Sequence, residues 1–120
     1  MEKWQTMLNL KFRRLPWRIK VGFSYEWKAW LIAYDLFNMG PEEFAKLNLE
    51  KQVTAIAYGA AAWYRMQKGK KVYFTYDDIA DAMMKASKAE NLQLSHAMSY
   101  AQFPEWLQPV SEGDKKKEKT

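Results

Sequence analysis

The stretch LEKQVTAIAYGAAAWYRMQKGKKVYFTYDDIADAMM, residues 49–84, decides the fold of this 120-residue chain. Apolar residues recur there at helical spacing, which predicts a helix over 49–68 with Asn48 as its N-cap. Gly69 stands where a helix-ending glycine belongs, and the small residues 59–62 predict that a second helix approaches closely. The apolar stripe of the helix consists of Leu49, Val53, Ile56, Ala57, Ala60, Trp63 and Tyr64.

The second half of this stretch predicts a short link and another helix. Residues 70–74 indicate an extended segment in which Val72 and Phe74 point inward. Residues 75–78, TYDD, have the form of a capping box, with an aspartate in place of the more usual glutamate. We therefore expect a helix over 76–90, whose core-facing residues are Ile79, Ala82, Met83 and Ala86.

The N-terminal residues 6–23 alternate between apolar and polar side chains, which is typical of strands with one buried face. A turn is expected at residues 14–16, because proline fixes φ and cannot donate to a strand ladder. An isolated hairpin is marginal in water, so its apolar face is expected to pack on helices. That face consists of Leu8, Leu10, Phe12, Trp17, Ile19, Val21 and Phe23.

Three further helices are expected. Ser24 has the character of an N-cap, and Glu26 complements the positive end of the helix dipole. Residues 38–41, NMGP, end this helix, and their proline opens a short second one. A last helix is expected over 94–103, before a proline. The apolar face of the first of these helices consists of Trp27, Trp30, Leu31, Tyr34 and Phe37.

These elements predict a mainly α (α+β) fold, in which an N-terminal two-stranded β-hairpin packs on a bundle of four to five helices. We expect one globular domain over residues 1–108, consistent with the usual size of a domain. Residues 109–120, PVSEGDKKKEKT, are almost wholly polar and predict a disordered basic tail.

The composition of the chain bears on its cellular location and its partners. The chain has no cysteine, which is typical of a reducing cytoplasm, and a net charge of +5. Its first residues lack the apolar run of a signal peptide, and no segment approaches the roughly 18 apolar residues of a membrane span. We expect a cytoplasmic protein with no membrane partner. With 6 tryptophans and 7 tyrosines, aromatic side chains exceed what a small core needs, so some are expected to anchor a partner.

Catalytic and metal sites are not indicated. His96 is the only histidine, and neither an orienting acid nor a nucleophile can be identified for it. Asp77, Asp78 and Asp81 form the densest acidic group, which would suit a magnesium ion, but capping and the helix dipole already favour acids in a first turn. We therefore expect a non-enzymatic protein with no cofactor and no metal.

Arg13, Arg14, Arg18 and Lys20 lie on the outer face or at the turn of the predicted hairpin. They support an alternative function, in which a small basic protein grips the phosphates of nucleic acid with this face. Basic residues also keep an exposed sheet soluble and blunt its edges. The second explanation is favoured, so nucleic acid is not the expected partner.

The order of these features resembles the tail assembly chaperones of long-tailed bacteriophages. The likeness lies in three segments of roughly residues 8–88: WRIKVGFSYEWKAWLIAYD, GPEEFAKLNLEKQVTAIAYGAAAWYRMQKGK and VYFTYDDIADAMM. They comprise a strand pair leading into a helix, a small-residue helix ending in a basic glycine turn, and a Thr-capped acidic helix. The chain departs from the family in its high aromatic content and in the strand turn, which lacks the usual glycine.

This resemblance implies a non-enzymatic role in the host cytoplasm. Members of the family bind the tape-measure protein, help recruit the tail-tube protein and often form homo-oligomers. Capture of a tape-measure helix in an apolar groove is the expected mechanism. A different phage or mobile-element protein-interaction module is a further alternative. The residues expected to line the groove are Trp27, Trp30, Trp63, Tyr64 and Met66.

Overall fold

The fold is known from a computed structural model, which describes residues 1–105. Within these residues a two-stranded hairpin is followed by five helices, which confirms the predicted mainly α (α+β) class. The predicted tail over 109–120 lies outside the described residues. The elements are β1 (Gln5–Lys11), β2 (Arg18–Ser24), α1 (Trp27–Leu36), α2 (Pro41–Ala45), α3 (Leu49–Gln67), α4 (Tyr76–Lys85) and α5 (Lys88–Ser99).

The hairpin pairs β1 with β2 antiparallel, with Leu8 opposite Val21 and Leu10 opposite Ile19. Trp17 was predicted to share the apolar face, and that prediction is wrong: its side chain is 62% exposed. It precedes β2 and belongs to the connection between the strands, so the alternation of the ladder does not reach it. The predicted burial of the face is confirmed for Leu8, Leu10, Phe12, Val21 and Phe23.

The start of α1 differs from the prediction. Ser24 is the fully buried last residue of β2, and its hydroxyl donates to Glu26 Oε2 at 2.7 Å instead of capping the helix. The helix begins at Trp27, with Glu26 as the N-cap residue. The chain stays extended beyond β2 because the Gln102 backbone pairs with it, donating to the Tyr25 carbonyl and accepting from the Trp27 amide.

The contact between α1 and α3 is made by very small residues. Ala29 and Ala33 of α1 are fully buried, and a Cβ on Gly59 of α3 would overlap the carbonyl oxygen of Ala29. The predicted close approach at residues 59–62 is therefore confirmed. The aromatic side chains of α1 flank this contact half-buried, and Leu31, which was predicted on the apolar face, is 44% exposed.

Both predicted ends of α3 are confirmed. The Asn48 side chain accepts an amide hydrogen bond from the first turn at 2.8 Å. Gly69 has a φ of +67°, a left-handed conformation that glycine adopts without steric cost. The Lys70 amide donates to the Arg65 carbonyl at 3.0 Å, which completes a Schellman motif.

The prediction of one continuous helix over 76–90 is wrong, because two helices occupy this region. The predicted capping box at residues 75–78 does start α4. A second capping box, formed by Ser87 and Glu90, then starts α5 after an extended residue. The last helix therefore begins and ends earlier than the predicted range 94–103.

The link between α3 and α4 supplies part of the core, as predicted. Phe74 is 4% exposed, and its ring centroid lies 6.1 Å from that of Phe12 and 6.0 Å from that of Tyr58. Val72 packs half-buried against the same core. Within residues 1–105, none of the helices is both long enough and apolar enough to cross a membrane.

Candidate functional site

A groove of about 380 Å³ lies between the N-terminal half of α3 and α4. Leu49 and Met84 at this groove are 74% and 81% exposed. Full burial of such a side chain contributes about 1.5–3 kcal/mol. A partner that covers Leu49 and Met84 would therefore gain binding free energy at this groove. The lining residues are Leu49, Glu50, Val53, Thr54, Ala80, Met83, Met84 and Asn91.

The phase of α4 places its methionines at the groove. Ile79 and Ala82 are buried, and Met83 packs half-buried against the core. Successive helical residues are about 100° apart, so Met84 is turned away from the face that holds these three. Leu49 is the first residue of α3 and lies outside the core as well. The exposure of both side chains follows from their positions in the helices.

A second depression of about 210 Å³ continues this groove towards the start of α4, where Tyr76 lies. Glu50 and Lys51 place one charge of each sign among its lining residues. An apolar channel with charged margins suits the apolar face of an amphipathic helix. We call the two depressions together the α3–α4 groove; the residues that both contain are Glu50, Thr54, Ala80 and Met84.

The five residues predicted to line a partner-binding groove lie on different surfaces. Trp63 and Met66 lie together in a depression of about 340 Å³ between α1 and α3. Leu31 and Ile32 line the same depression and were not predicted as binding residues. This α1–α3 depression is thus a second apolar surface, built partly from the predicted residues.

Polar contacts hold two tryptophans beside the α1–α3 depression. Lys28 Nζ lies 5.1 Å from the ring centroid of Trp27 and 5.1 Å from that of Trp63, within the range of cation–π attraction. Trp63 Nε1 donates to Glu26 Oε2 at 3.0 Å. Both indoles are half-buried, so they stabilise the junction of α1 and α3 in addition to any contact with a partner.

Trp30 and Tyr64 lie away from both apolar surfaces. The Trp30 ring packs edge-on against Phe103, with centroids 4.8 Å apart, and against Tyr25 at 6.4 Å. Tyr64 lies on Gly22 of β2, where a Cβ would overlap its ring. The structure therefore brings together Trp63 and Met66, with Trp27 nearby, and separates the other two.

Two of the four basic residues of the alternative nucleic-acid site are engaged in ion pairs. Arg13 lies 3.3 Å from Asp81, and Arg14 lies 3.1 Å from Asp78. Arg14 also donates to the Tyr73 carbonyl at 2.8 Å. Phosphate binding by these two guanidinium groups would have to compete with the ion pairs that tie the hairpin turn to α4.

The other two basic residues have different surroundings. Arg18 donates to the Asn9 carbonyl at 3.0 Å. Lys20 lines a separate pocket with Arg65 and Lys68. The basic side chains of the hairpin therefore do not act as one continuous surface.

The acidic group at the start of α4 has structural partners. The Asp78 carboxylate accepts the Thr75 amide at 2.9 Å and the Arg14 guanidinium. Desolvation acts to raise the pKa of Asp78, but these hydrogen bonds outweigh it and hold the pKa below its ordinary value. His96 is exposed, with its ring beside Tyr100. In the described part of the chain, no three His, Cys, Asp or Glu side chains are placed to hold a metal ion.

No protein-family model matches this chain. The comparisons with curated proteins and with solved structures give no significant match either. The geometry described above and the resemblance of the sequence are therefore what bear on function.

Leu49 and Met84 were not predicted as binding residues, although the sequence carried a partial indication. Two adjacent methionines at 83–84 cannot both face the core from one helix, since their directions differ by about 100°. A leucine directly after an N-cap stands at the helix end, where burial depends on what the preceding loop covers. Whether these residues line a groove depends on the position of α4 beside α3, which is set by tertiary packing.

Proposed function

We propose that this protein is a non-enzymatic phage tail assembly chaperone that binds the tape-measure protein and helps recruit the tail-tube protein. The observation that carries the proposal is the α3–α4 groove, whose Leu49 and Met84 are 74% and 81% exposed. An amphipathic tape-measure helix is the occupant that we assign to this groove. Oligomerisation and residence in the host cytoplasm are part of the same proposal.

The groove has the size and chemistry for such an occupant. Its volume of about 380 Å³ admits several apolar side chains, which a helix supplies at positions i, i+3, i+4 and i+7. Met83 and Met84 are unbranched and adapt to differently shaped side chains. A chaperone must bind many segments of a long helical protein, and adaptable methionines suit this low specificity.

The local features behind the resemblance also support the proposal. Gly59 leaves the middle of α3 without a side chain, where α1 approaches closely. Gly69, in a left-handed conformation, follows the end of this helix, and Thr75 caps the acidic start of α4. Gly69 and the Thr75 cap turn the chain between the two helices, and α4 packs beside the N-terminal half of α3. Apart from Asn91, the residues that line the α3–α4 groove belong to the segment of the chain that carries the likeness to the tail chaperones.

Co-expression with a tape-measure protein from the same genome tests the function. We expect a larger soluble fraction of the tape-measure protein in the presence of this chain. The double variant Leu49→Gln, Met84→Gln should lose most of that effect, because it removes apolar contact at two exposed positions without added charge. Leu92→Gln is the matched control: Leu92 is 59% exposed on α5 and does not line the groove.

The outcomes separate the function from the site. If the tape-measure protein stays equally insoluble with and without this chain, the chaperone function is wrong. If the wild-type chain helps and the double variant helps equally well, the function stands and the α3–α4 groove is the wrong site. The variant Trp63→Gln, Met66→Gln would then examine the α1–α3 depression, which contains two of the originally predicted residues.

A further inference from the structure

A small basic pocket of about 160 Å³ lies where β2, the end of α3 and the following link meet. Its wall includes Gly22 of β2, with Tyr64 and Tyr73 on the other sides. The side chains that give the pocket its charge are Lys20, Arg65, Lys68 and Lys70. No residue of this pocket belongs to the α3–α4 groove.

No ion pair among the described residues neutralises the four positive charges of the pocket. Within residues 1–105, the ion pairs involve Arg13, Arg14 and Lys85, and none involves a cation of the pocket. No aspartate or glutamate of the described chain lines it. Four like charges around one cavity repel one another, which is a local cost that an anion would remove.

The helix dipole does not account for this cluster. The C-terminus of α3 carries the equivalent of about half a negative charge, which one or two basic residues offset. Two of its last carbonyls are already occupied: the Arg65 carbonyl accepts the amides of Lys68 and Lys70, and the Met66 carbonyl accepts the amide of Gly69. Lys20 comes from β2 and is not at a helix end at all.

Two of the cations are held in place by aromatic rings. The Arg65 guanidinium carbon lies 4.6 Å from the centroid of the Tyr73 ring, and Arg65 Nε donates to the Lys71 carbonyl. Lys68 Nζ lies 4.6 Å from the centroid of the Tyr64 ring. These contacts order the charges before a ligand arrives, which lowers the entropic cost of binding.

We propose that this pocket binds a phosphate group. A phosphate monoester carries about −1.5 to −2 charges and three acceptor oxygens, which match four cationic donors better than a carboxylate does. A backbone phosphodiester carries one negative charge and would engage fewer of these donors. The arginine fork is suited to bidentate phosphate contacts. The volume of about 160 Å³ admits one phosphate but not a whole nucleotide, because pockets for larger ligands occupy about 300–1,000 Å³.

The phosphate can belong to a small phosphorylated molecule or to the backbone of a nucleic acid. Base stacking contributes little here, because cations lie over the rings of Tyr64 and Tyr73. A single-stranded nucleic acid would therefore be held by its backbone alone. The inference is independent of the proposed chaperone function, since it involves other residues.

Titration of the ¹⁵N-labelled protein with inorganic phosphate tests the site, with sodium chloride holding the ionic strength constant. We expect saturable amide shifts centred on Gly22 and residues 68–70. The variants Arg65→Gln and Lys68→Gln should each weaken binding by about tenfold, since each removes a charge-assisted hydrogen bond. Lys46→Gln, at the exposed residue that follows α2, should leave binding unchanged.

Two results of this titration would overturn the proposal. One is the absence of saturable shifts at these amides with tens of millimolar phosphate while the protein remains folded by circular dichroism. The other is equal weakening by Lys46→Gln and Lys68→Gln, which would indicate general charge attraction. Either result would leave the α3–α4 groove and the chaperone proposal untouched.

A second arm identifies the source of the phosphate. A short single-stranded oligonucleotide that shifts the same amides, with an affinity that falls steeply with salt and is lost in Lys68→Gln, assigns a nucleic-acid backbone. An oligonucleotide that leaves the pocket amides unshifted, when phosphate shifts them, assigns a small phosphorylated ligand. A poly-glutamate peptide that saturates the pocket when phosphate does not would overturn the phosphate assignment.

Discussion

Gly59 of α3 lies directly against the backbone of Ala29 in α1. A methyl group on Gly59 would overlap the Ala29 carbonyl oxygen and lie 2.9 Å from its carbonyl carbon. Ala29 is completely buried, and Gly59 is buried as well. This contact fixes the distance between the two helices, and the position of α1 determines the shape of the α1–α3 depression.

Gly59→Ala should therefore destabilise the protein, although alanine is the better helix former by about 1 kcal/mol. The new methyl group meets backbone atoms, which cannot rotate away, and overpacking typically costs about 1–3 kcal/mol or more. We expect a net loss of about 2 kcal/mol in the free energy of unfolding, measured by urea denaturation with tryptophan fluorescence.

Gly40→Ala provides the matched control for this substitution. A Cβ at Gly40 would have no neighbour within 4 Å, and its φ of −80° is compatible with alanine. We expect a change of less than about 1 kcal/mol. Equal losses for the two glycine variants would show that helix contact is not what Gly59 provides.

Glu26 joins β2, α1 and α3 through a single carboxylate oxygen. Its Oε2 accepts hydrogen bonds from the Ser24 hydroxyl at 2.7 Å, Trp63 Nε1 at 3.0 Å and Gln67 Nε2 at 2.7 Å. Glu26→Ala leaves three donors without their acceptor, one of them on the fully buried Ser24. We expect a loss of about 1–3 kcal/mol in the free energy of unfolding, measured by urea denaturation.

Glu42→Ala is the control for Glu26→Ala, because Glu42 is an exposed residue in the first turn of α2. It interacts chiefly with the helix dipole, so its loss should be only about 0.3–1 kcal/mol. A Glu26 variant as stable as the Glu42 variant would mean that water replaces the three hydrogen bonds without cost.

How far the sequence predicts this fold depends on the range of the interactions. Asn48, Gly69 and Thr75 act on backbone groups within a few residues, and each helix boundary that they predicted is confirmed. Ser87 and Glu90 carry the same kind of information, since they form a capping box. This capping pattern was present in the sequence. However, apolar residues at helical spacing continued up to Ala86, next to the cap, and favoured a single helix.

The candidate sites were harder to predict because they depend on long-range placement. Arg14 and Asp78 are 64 positions apart in the sequence. The residues near Arg14 in the sequence therefore gave no indication that it forms an ion pair. Trp63 and Tyr64 are neighbours in sequence but lie on different surfaces. Residue type predicted that aromatic and basic side chains would form binding surfaces. Only the packing shows which of them share one surface.

The ion pair between the hairpin turn and α4 makes stability sensitive to acid. The pKa of Asp78 lies below its ordinary value of 3.8, because the Arg14 and Thr75 hydrogen bonds outweigh desolvation. A carboxylate whose pKa is lowered by folding contributes stability above the ordinary value and loses it as the pH falls through the folded-state value. Stability should therefore decline as the pH is lowered below about 4.

Comparison of the wild type with Asp78→Asn isolates this contribution. The variant should be less stable at pH 7, and the difference should shrink as the pH falls below 3.8, since the wild-type carboxylate is then protonated. The measurement is the urea midpoint at a series of pH values. A difference that stays constant from pH 7 to pH 2 would contradict a role for the charge.

The break between α4 and α5 gives the last prediction. The Ser87 hydroxyl accepts the Glu90 amide at 3.1 Å, and Glu90 Oε1 accepts the Ser87 amide at 3.0 Å. Hydrogen bonds from the Ser87 amide and hydroxyl to the Glu90 carboxylate hold the pKa of Glu90 below its ordinary value. Ser87→Ala removes one of them and should cost about 1 kcal/mol in the free energy of unfolding.

Loss of this cap should also act locally, because it allows the first turn of α5 to open more often. Amide hydrogen exchange at residues 89–92 is expected to be faster in Ser87→Ala than in the wild type. Ser95→Ala, at an exposed interior position of α5, is the control and should be neutral or slightly stabilising, since alanine favours helix. If Ser87→Ala behaves like Ser95→Ala in both measurements, the two helices are separated by packing and not by the cap.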